Sequence, residues 1–313
     1  MITKGARRVT MPISRREFIE AAAGATSLLA AGGTFAQQQT TGSKSEVYVG
    51  KGDAAKMLPK ILEKMGGISR FVKPGSRVMI KPNMSFPNPP EWATGTSPEA
   101  VFAMTKLCLE AGAKRVIICD NTIRDPEHCK EKTGIAAAIK DLKGAVLFIP
   151  KQDSMYIRKS DAKAKELREV DVVKEVYQCD TVISLPCAKS HSAGGVSLNV
   201  KGLMGLVKER GAFHREMEMH TAIAEQLYYI KPHLCIVDAT RALLDNGPAG
   251  PGKVIDLNTF VAGTDPVAVD SYTVSLASWY GKTFDGKQVK HLKLAGELGF
   301  GNVESSMISE VTV

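Results

Sequence analysis

Short apolar or β-branched runs alternate with longer amphipathic ones along most of this chain, starting near residue 47. Residues 47–50, 77–81, 115–120, 145–149, 181–185, 234–237 and 260–263 have the length of strands, each bounded by glycine, proline or a charge. Between them, helical spacing of apolar positions predicts helices over 54–65, 98–111, 135–142, 220–230, 266–279 and 289–298. Such alternation predicts an α/β fold: a mainly parallel β-sheet layered with helices on both faces. Ser97 before Pro98-Glu99, and Asp265 before Pro266, carry the capping chemistry of helix starts. The stretch 156–174 is dense in both signs of charge and is predicted as an exposed excursion rather than core.

The first residues follow a different pattern. Arg15 and Arg16, in Ser14-Arg15-Arg16-Glu17-Phe18-Ile19, precede an uncharged stretch, 21–36, that ends in Thr34-Phe35-Ala36. This is the layout of a secretory signal, and the paired arginines point to the twin-arginine export machinery as a partner, with cleavage after Ala36 and a periplasmic destination. Glu20 stands where such signals often place lysine. Three glycines (Gly24, Gly32, Gly33) and a length below the ~20 residues a bilayer needs argue against an anchor, so no stable membrane span is expected in the mature form. The polar stretch 37–45 reads as a disordered tether, leaving 46–313 as one α/β domain.

Removing residues 1–36 leaves 36 basic against 31 acidic side chains, a net charge of +5 rather than +8. A mild excess without a basic block points away from nucleic acid and suits a small anionic ligand. The six cysteines form no CxxC pair, so an iron-sulfur cluster is not expected from this chain alone, and Cys119 and Cys235 fall inside predicted strands as small hydrophobes.

In an open parallel sheet, ligands bind beyond the carboxyl ends of the strands. Here those ends deliver Lys81-Pro82-Asn83, Asp120-Asn121, Pro186-Cys187-Ala188-Lys189-Ser190-His191 and Asp238-Ala239-Thr240-Arg241. The segment Lys201-Gly202-Leu203-Met204-Gly205-Leu206, followed by Arg210 and Phe213-His214, adds backbone flexibility, charge and an imidazole. His220 lies six residues beyond His214, a spacing that does not share a helical face. A divalent metal is a candidate cofactor, with Asp120, Asp238, His191 and His214 as ligands; the alternative is that the imidazoles satisfy local hydrogen bonds. The glycine-rich loop 246–253 matches neither dinucleotide nor phosphate-loop patterns and reads as a shaped border to the crevice, with Lys253 facing an acidic ligand.

Lys81-Pro82-Asn83, Thr96-Ser97-Pro98, Asp120, Leu185-Pro186-Cys187-Ala188-Lys189-Ser190-His191, Lys201 to Gly205 with Phe213-His214, Gly247-Pro248 and Gly263 to Asp270 occur in one order between about residues 47 and 301. Together they resemble the blocks of the family called domain of unknown function 362. The resemblance implies an iron-sulfur segment in many relatives, which is not seen here, and an asparagine after the lysine where this chain has Gly202.

These readings converge on an exported enzyme acting on a small anionic or redox-active substrate with a bound metal or other preloaded cofactor. Lys81, Asn83 and Lys253 are candidate substrate contacts, and His191, Lys189 and Lys201 candidate catalytic groups. A noncatalytic periplasmic anion- or metal-binding accessory protein is the alternative. A cysteine-based redox partner ranks behind both.

Overall fold

The computed structural model describes residues 43–313; the predicted signal, 1–36, and tether residues 37–42 lie outside the described residues. The strands are β1 (Ser45–Lys51), β2 (Arg77–Pro82), β3 (Arg115–Cys119), β4 (Ala145–Phe148), β5 (Tyr156–Ser160), β6 (Glu169–Val173), β7 (Thr181–Leu185), β8 (Cys187–His191), β9 (Gly195–Ser197), β10 (Leu234–Leu243), β11 (Val254–Gly263) and β12 (Ile308–Thr312). The helices are α1 (Ala54–Lys64), α2 (Pro98–Glu110), α3 (Pro126–Lys132), α4 (Ile135–Ile139), α5 (Glu175–Gln178), α6 (Asn199–Gly202), α7 (Ala212–Arg215), α8 (Met219–Glu225), α9 (Pro266–Val274) and α10 (Lys290–Glu297).

One sheet runs in the order β12-β1-β11-β10-β7-β2-β3-β4, with β8 pairing β10 and β9 beside that path. The run β10-β7-β2-β3-β4 is parallel, while β11 joins β10 and β1 antiparallel. The fold is therefore α/β on a mainly parallel sheet. Strand alternation sends Val78 and Ile80 of β2 to one core and Met79 to another, and Ile118 and Ile117 of β3 divide the same way. The first core also holds Leu58, Ile61, Val101 and Met104 of α1 and α2, the second Val267, Val269 and Leu292 of α9 and α10, so both faces carry helices.

Caps set the helix starts. Asp53 accepts from Lys56 N, Ser97 from Ala100 N, and Asp265 from Val267 N and Ala268 N, each satisfying a first-turn donor. Asp125 before Pro126 repeats the signature and caps α3, which the periodicity did not predict because that helix buries only Cys129.

Several expectations need correction. β10 and β11 are each ten residues long, since their outer halves carry polar side chains yet still pair, Arg241 opposite Asp256. The helix predicted over 266–279 stops at Val274, where the indole N–H of buried Trp279 donates to the Val274 carbonyl at 2.9 Å. The charged stretch 156–174 is no mere excursion: β5 and β6 pair antiparallel, and Leu167, Val170, Val172 and Val173 are buried in the core. Ser45, assigned to the tether, starts β1, is buried and donates to Asp265 at 2.6 Å.

A buried cation cluster at the carboxyl ends of the strands

β2 and β3 run parallel with Ile80 opposite Ile118, so both deliver their next residues to the same end of the sheet. There Lys81 Nζ lies 3.2 Å from Asp120 Oδ1, and the two side chains are 2% and 1% exposed. The contact is an ion pair rather than an aligned hydrogen bond, because Oδ1 has no hydrogen-bond partner; Oδ2 accepts from Met84 N and Ser85 Oγ, both at 2.9 Å. Lys81 Nζ also donates to its neighbour's carbonyl, Pro82 O. Backbone of the segment after α6 presses on this pair. A Cβ at Gly205 would stand 2.0 Å from Asp120 Oδ1 and 2.9 Å from Lys81 Nζ, so only glycine fits. Asn121 N holds the segment there by donating to Gly205 O at 2.7 Å.

The stretch 187–191, read from the sequence only as lying beyond the end of a strand, is itself strand β8, because Cys187 and Lys189 find register partners in Asp238 and Leu243 of β10. Lys189 is buried; its Nζ donates to Thr94 O at 2.5 Å and sits 5.6 Å from the Phe86 ring centroid. Lys201, on α6, is buried with Nζ 3.3 Å from the Met204 sulfur. Among the described residues, neither lysine has a carboxylate in ion-pair range. Burial lowers both amines; Lys201, with Lys189 and Arg210 adding repulsion, is brought down to about 7. Arg210 donates to Ser85 Oγ at 3.3 Å, which links it through that hydroxyl to Asp120.

Four of the six histidines stack in two pairs near this cluster: His191 with His214, centroids 6.0 Å apart, and His220 with His291, 5.8 Å apart. Burial first, then the charges of Lys201 and Lys189, hold His191 down to about 2, so its ring is neutral. Its Nδ1 accepts from Ala193 N and Gly194 N, each at 3.2 Å, which leaves the proton on Nε2. His291 is buried, and its imidazole is pushed well below the ordinary range by burial and by Lys201. His214 is exposed.

Other side chains hold the cluster in place. Asp270 of α9 accepts from Asn199 N, Asn199 Nδ2 and Val200 N, and Gln226 Nε2 donates to Val200 O at 2.6 Å, so α6 and with it Lys201 are clamped from two sides. Gly247 N donates to Ser190 Oγ at 3.1 Å, and a Cβ at Gly247 would stand 1.9 Å from Ser190 O, so the glycine-rich loop packs directly on β8.

Of the residues singled out in the sequence, Lys81, Asp120, Lys189, Lys201, His191 and His214 share this region, whereas three others serve elsewhere. Asp238 is an internal bracket: it accepts from Ser97 N and Oγ and from Thr240 N and Oγ1. Asn83 Oδ1 accepts from Cys187 N, and its backbone bonds Thr96. Lys253 is exposed, with its backbone N bonded to Asp245. The expected metal ligand set does not assemble: among the described residues no three His, Cys, Asp or Glu side chains converge to hold an ion. Asp120 is occupied by Lys81, Asp238 by Ser97 and Thr240, and the His191 Nδ1 lone pair by two backbone donors. The six cysteines are free thiols; burial pushes Cys119 and Cys235 well above the ordinary range, as for packed hydrophobes. Asp270 and His291 were not singled out in the sequence, and Arg210 was named there only as a charge in the segment after Lys201.

The ordered blocks that form this end of the sheet lie within residues 78–275, and that span matches the family described as domain of unknown function (DUF362). The chain belongs to the DUF362 family. It is 30% identical over 220 residues to the thylakoid-associated protein sll1697 of Synechocystis sp. (strain ATCC 27184 / PCC 6803 / Kazusa), covering 68% of this chain and 66% of that protein. The match thus spans slightly less than two thirds of the relative's length. Among solved structures, the lactate racemase apoprotein from Thermoanaerobacterium thermosaccharolyticum superposes with a TM-score of 0.48 at 11% identity, over 73% of this chain and 57% of that one. Among the described residues of this DUF362 protein, no helix is long and apolar enough to cross a membrane.

Proposed function

We propose that this DUF362 protein is an enzyme for a small anionic substrate bound at the carboxyl ends of β2, β3 and β8. One observation carries the reading: Lys189 and Lys201 are buried amines with no carboxylate partner of their own among the described residues, since the nearby Asp120 is already paired with Lys81. Burying an unpaired charge is costly, and a bound anion removes that cost. Lys189, Lys201 and Arg210 would neutralise the substrate, and His191, neutral with Nε2–H, would donate a hydrogen bond. We further propose that the chain is exported to the periplasm by the twin-arginine machinery; a mature amino terminus at Gln37 in periplasmic extracts checks this.

The binding half is tested by measuring thermal stability of the full chain with phosphate, sulfate or oxalate against chloride at equal ionic strength. Divalent anions should stabilise, by mass action on the folded state, and Lys189→Met should remove the effect. Equal stability in all four salts contradicts the reading. Catalysis is separated from simple binding by His191→Gln: an enzyme keeps affinity and loses turnover, whereas an accessory binding protein shows no turnover in any form.

A further inference from the structure

A lysine needed only as counter-charge gains from the company of carboxylates, and among the described residues Lys201 has none in ion-pair range. Its amine meets a thioether, at 3.3 Å from Met204 Sδ. Its Cδ and Cε pack under Gly194, where an added Cβ would come within 3.1 Å of both. Gly194 follows Ser192 and Ala193, which are exposed. The charges of Lys189 and Arg210 both act on it. An amine placed in apolar packing beside other cations sheds its proton near neutrality, and the free lone pair is a nucleophile toward carbonyl carbon. His191, whose Nδ1 is engaged by two backbone donors, offers a neutral Nε2–H in the same cluster.

We infer that Lys201 captures a carbonyl substrate covalently: its amine condenses with an oxo acid whose carboxylate is held by Lys189 and Arg210. The inference rests on the anion-site reading above and names its substrate class. The nitrogen lone pair bonds to the carbonyl carbon while the π pair moves to oxygen, which takes one proton from nitrogen. The resulting carbinolamine releases that oxygen as water with the second nitrogen hydrogen, leaving a carbon–nitrogen double bond. No oxidant or reductant is consumed. The Nε2–H of His191 is the hydrogen-bond donor for the oxygen as charge develops on it.

Reductive trapping tests this. The full chain is mixed separately with glyoxylate, pyruvate and 2-oxoglutarate near neutral pH, reduced with sodium borohydride and mapped by peptide mass spectrometry, with sulfate stabilisation measured in parallel. The expected result is a secondary-amine adduct on Lys201 with at least about tenfold the occupancy of any exposed lysine. Lys201→Arg should abolish the adduct while sulfate still stabilises, because the guanidinium keeps the charge but does not condense. An unlabelled Lys201 with sulfate stabilisation intact overturns the imine and leaves the anion site standing. Loss of both overturns both, and adducts spread evenly over exposed lysines also overturn the covalent role. The wild-type mapping decides the matter even if the variant fails to fold.

Discussion

Lys81 and Asp120, thirty-nine positions apart in sequence, form a solvent-excluded ion pair 3.2 Å long at the ends of adjacent parallel strands. Their mutual neutralisation leaves Lys189 and Lys201 as the charges free to meet a ligand. Removing one member strands the other in the interior. Lys81→Met and Asp120→Asn should each cost about 3–5 kcal/mol in denaturant unfolding, and the double change Lys81→Met with Asp120→Leu should recover much of that. Additive losses would show that the two residues do not act as a pair.

Gly205 tests the same contact from the backbone side. Gly205→Ala places a methyl 2.0 Å from Asp120 Oδ1, so either the pair or the segment after α6 must move. A loss of about 1–3 kcal/mol, with weaker anion stabilisation, is expected from overpacking at this point.

Lys201→Met should do the opposite for stability. Replacing an uncompensated buried cation by an apolar side chain of similar length should raise the denaturation midpoint near neutral pH, by on the order of 1 kcal/mol or more, while abolishing anion binding. A variant that is less stable and still binds sulfate would show that Lys201 is structural.

The pH dependence has a definite sign. His191 is held at about 2 in the folded protein against an ordinary 6.5, so between those values the unfolded chain binds a proton that the folded one refuses. Stability from this group is present above about 6.5 and falls as pH drops toward about 2. Asp270, raised from 3.8 to about 7 by burial, works in the opposite sense, losing stability as pH rises across that window. The difference between wild type and His191→Gln isolates the histidine. Unfolding by urea at several pH values should show a shallower acid-side loss in the variant, and parallel curves would contradict the assignment.

Most of the sheet order's raw material was visible in the sequence, because buried parallel strands such as Val78-Met79-Ile80 and Val116-Ile117-Ile118 are apolar on both faces. The outer halves of β10 and β11 and the short strand β8 were not. Their polar residues, Asp238, Arg241 and Lys189, are paired by tertiary neighbours that no local pattern reveals. The site divides in the same way. Lysines and histidines at strand ends announced a charged crevice, but residue type alone could not show that Asp238 is spent on Ser97 and Thr240. Asp270 was hidden inside an apolar helix pattern, although a carboxylate in such a run signals an internal acceptor. His291 gains its place only from how α10 packs, stacked on His220.

Isothermal titration of oxalate into the full chain at about pH 8, in two buffers of different ionisation enthalpy, tests the central claim most directly. Lys201, held at about 7, is mainly neutral under those conditions, and a bound anion should draw a proton onto it. The expected result is saturable binding with uptake of a fraction of a proton approaching one, lost in Lys201→Met. Absence of binding, or binding whose heat is the same in both buffers, would contradict a buried, uncompensated cation as the ligand's partner.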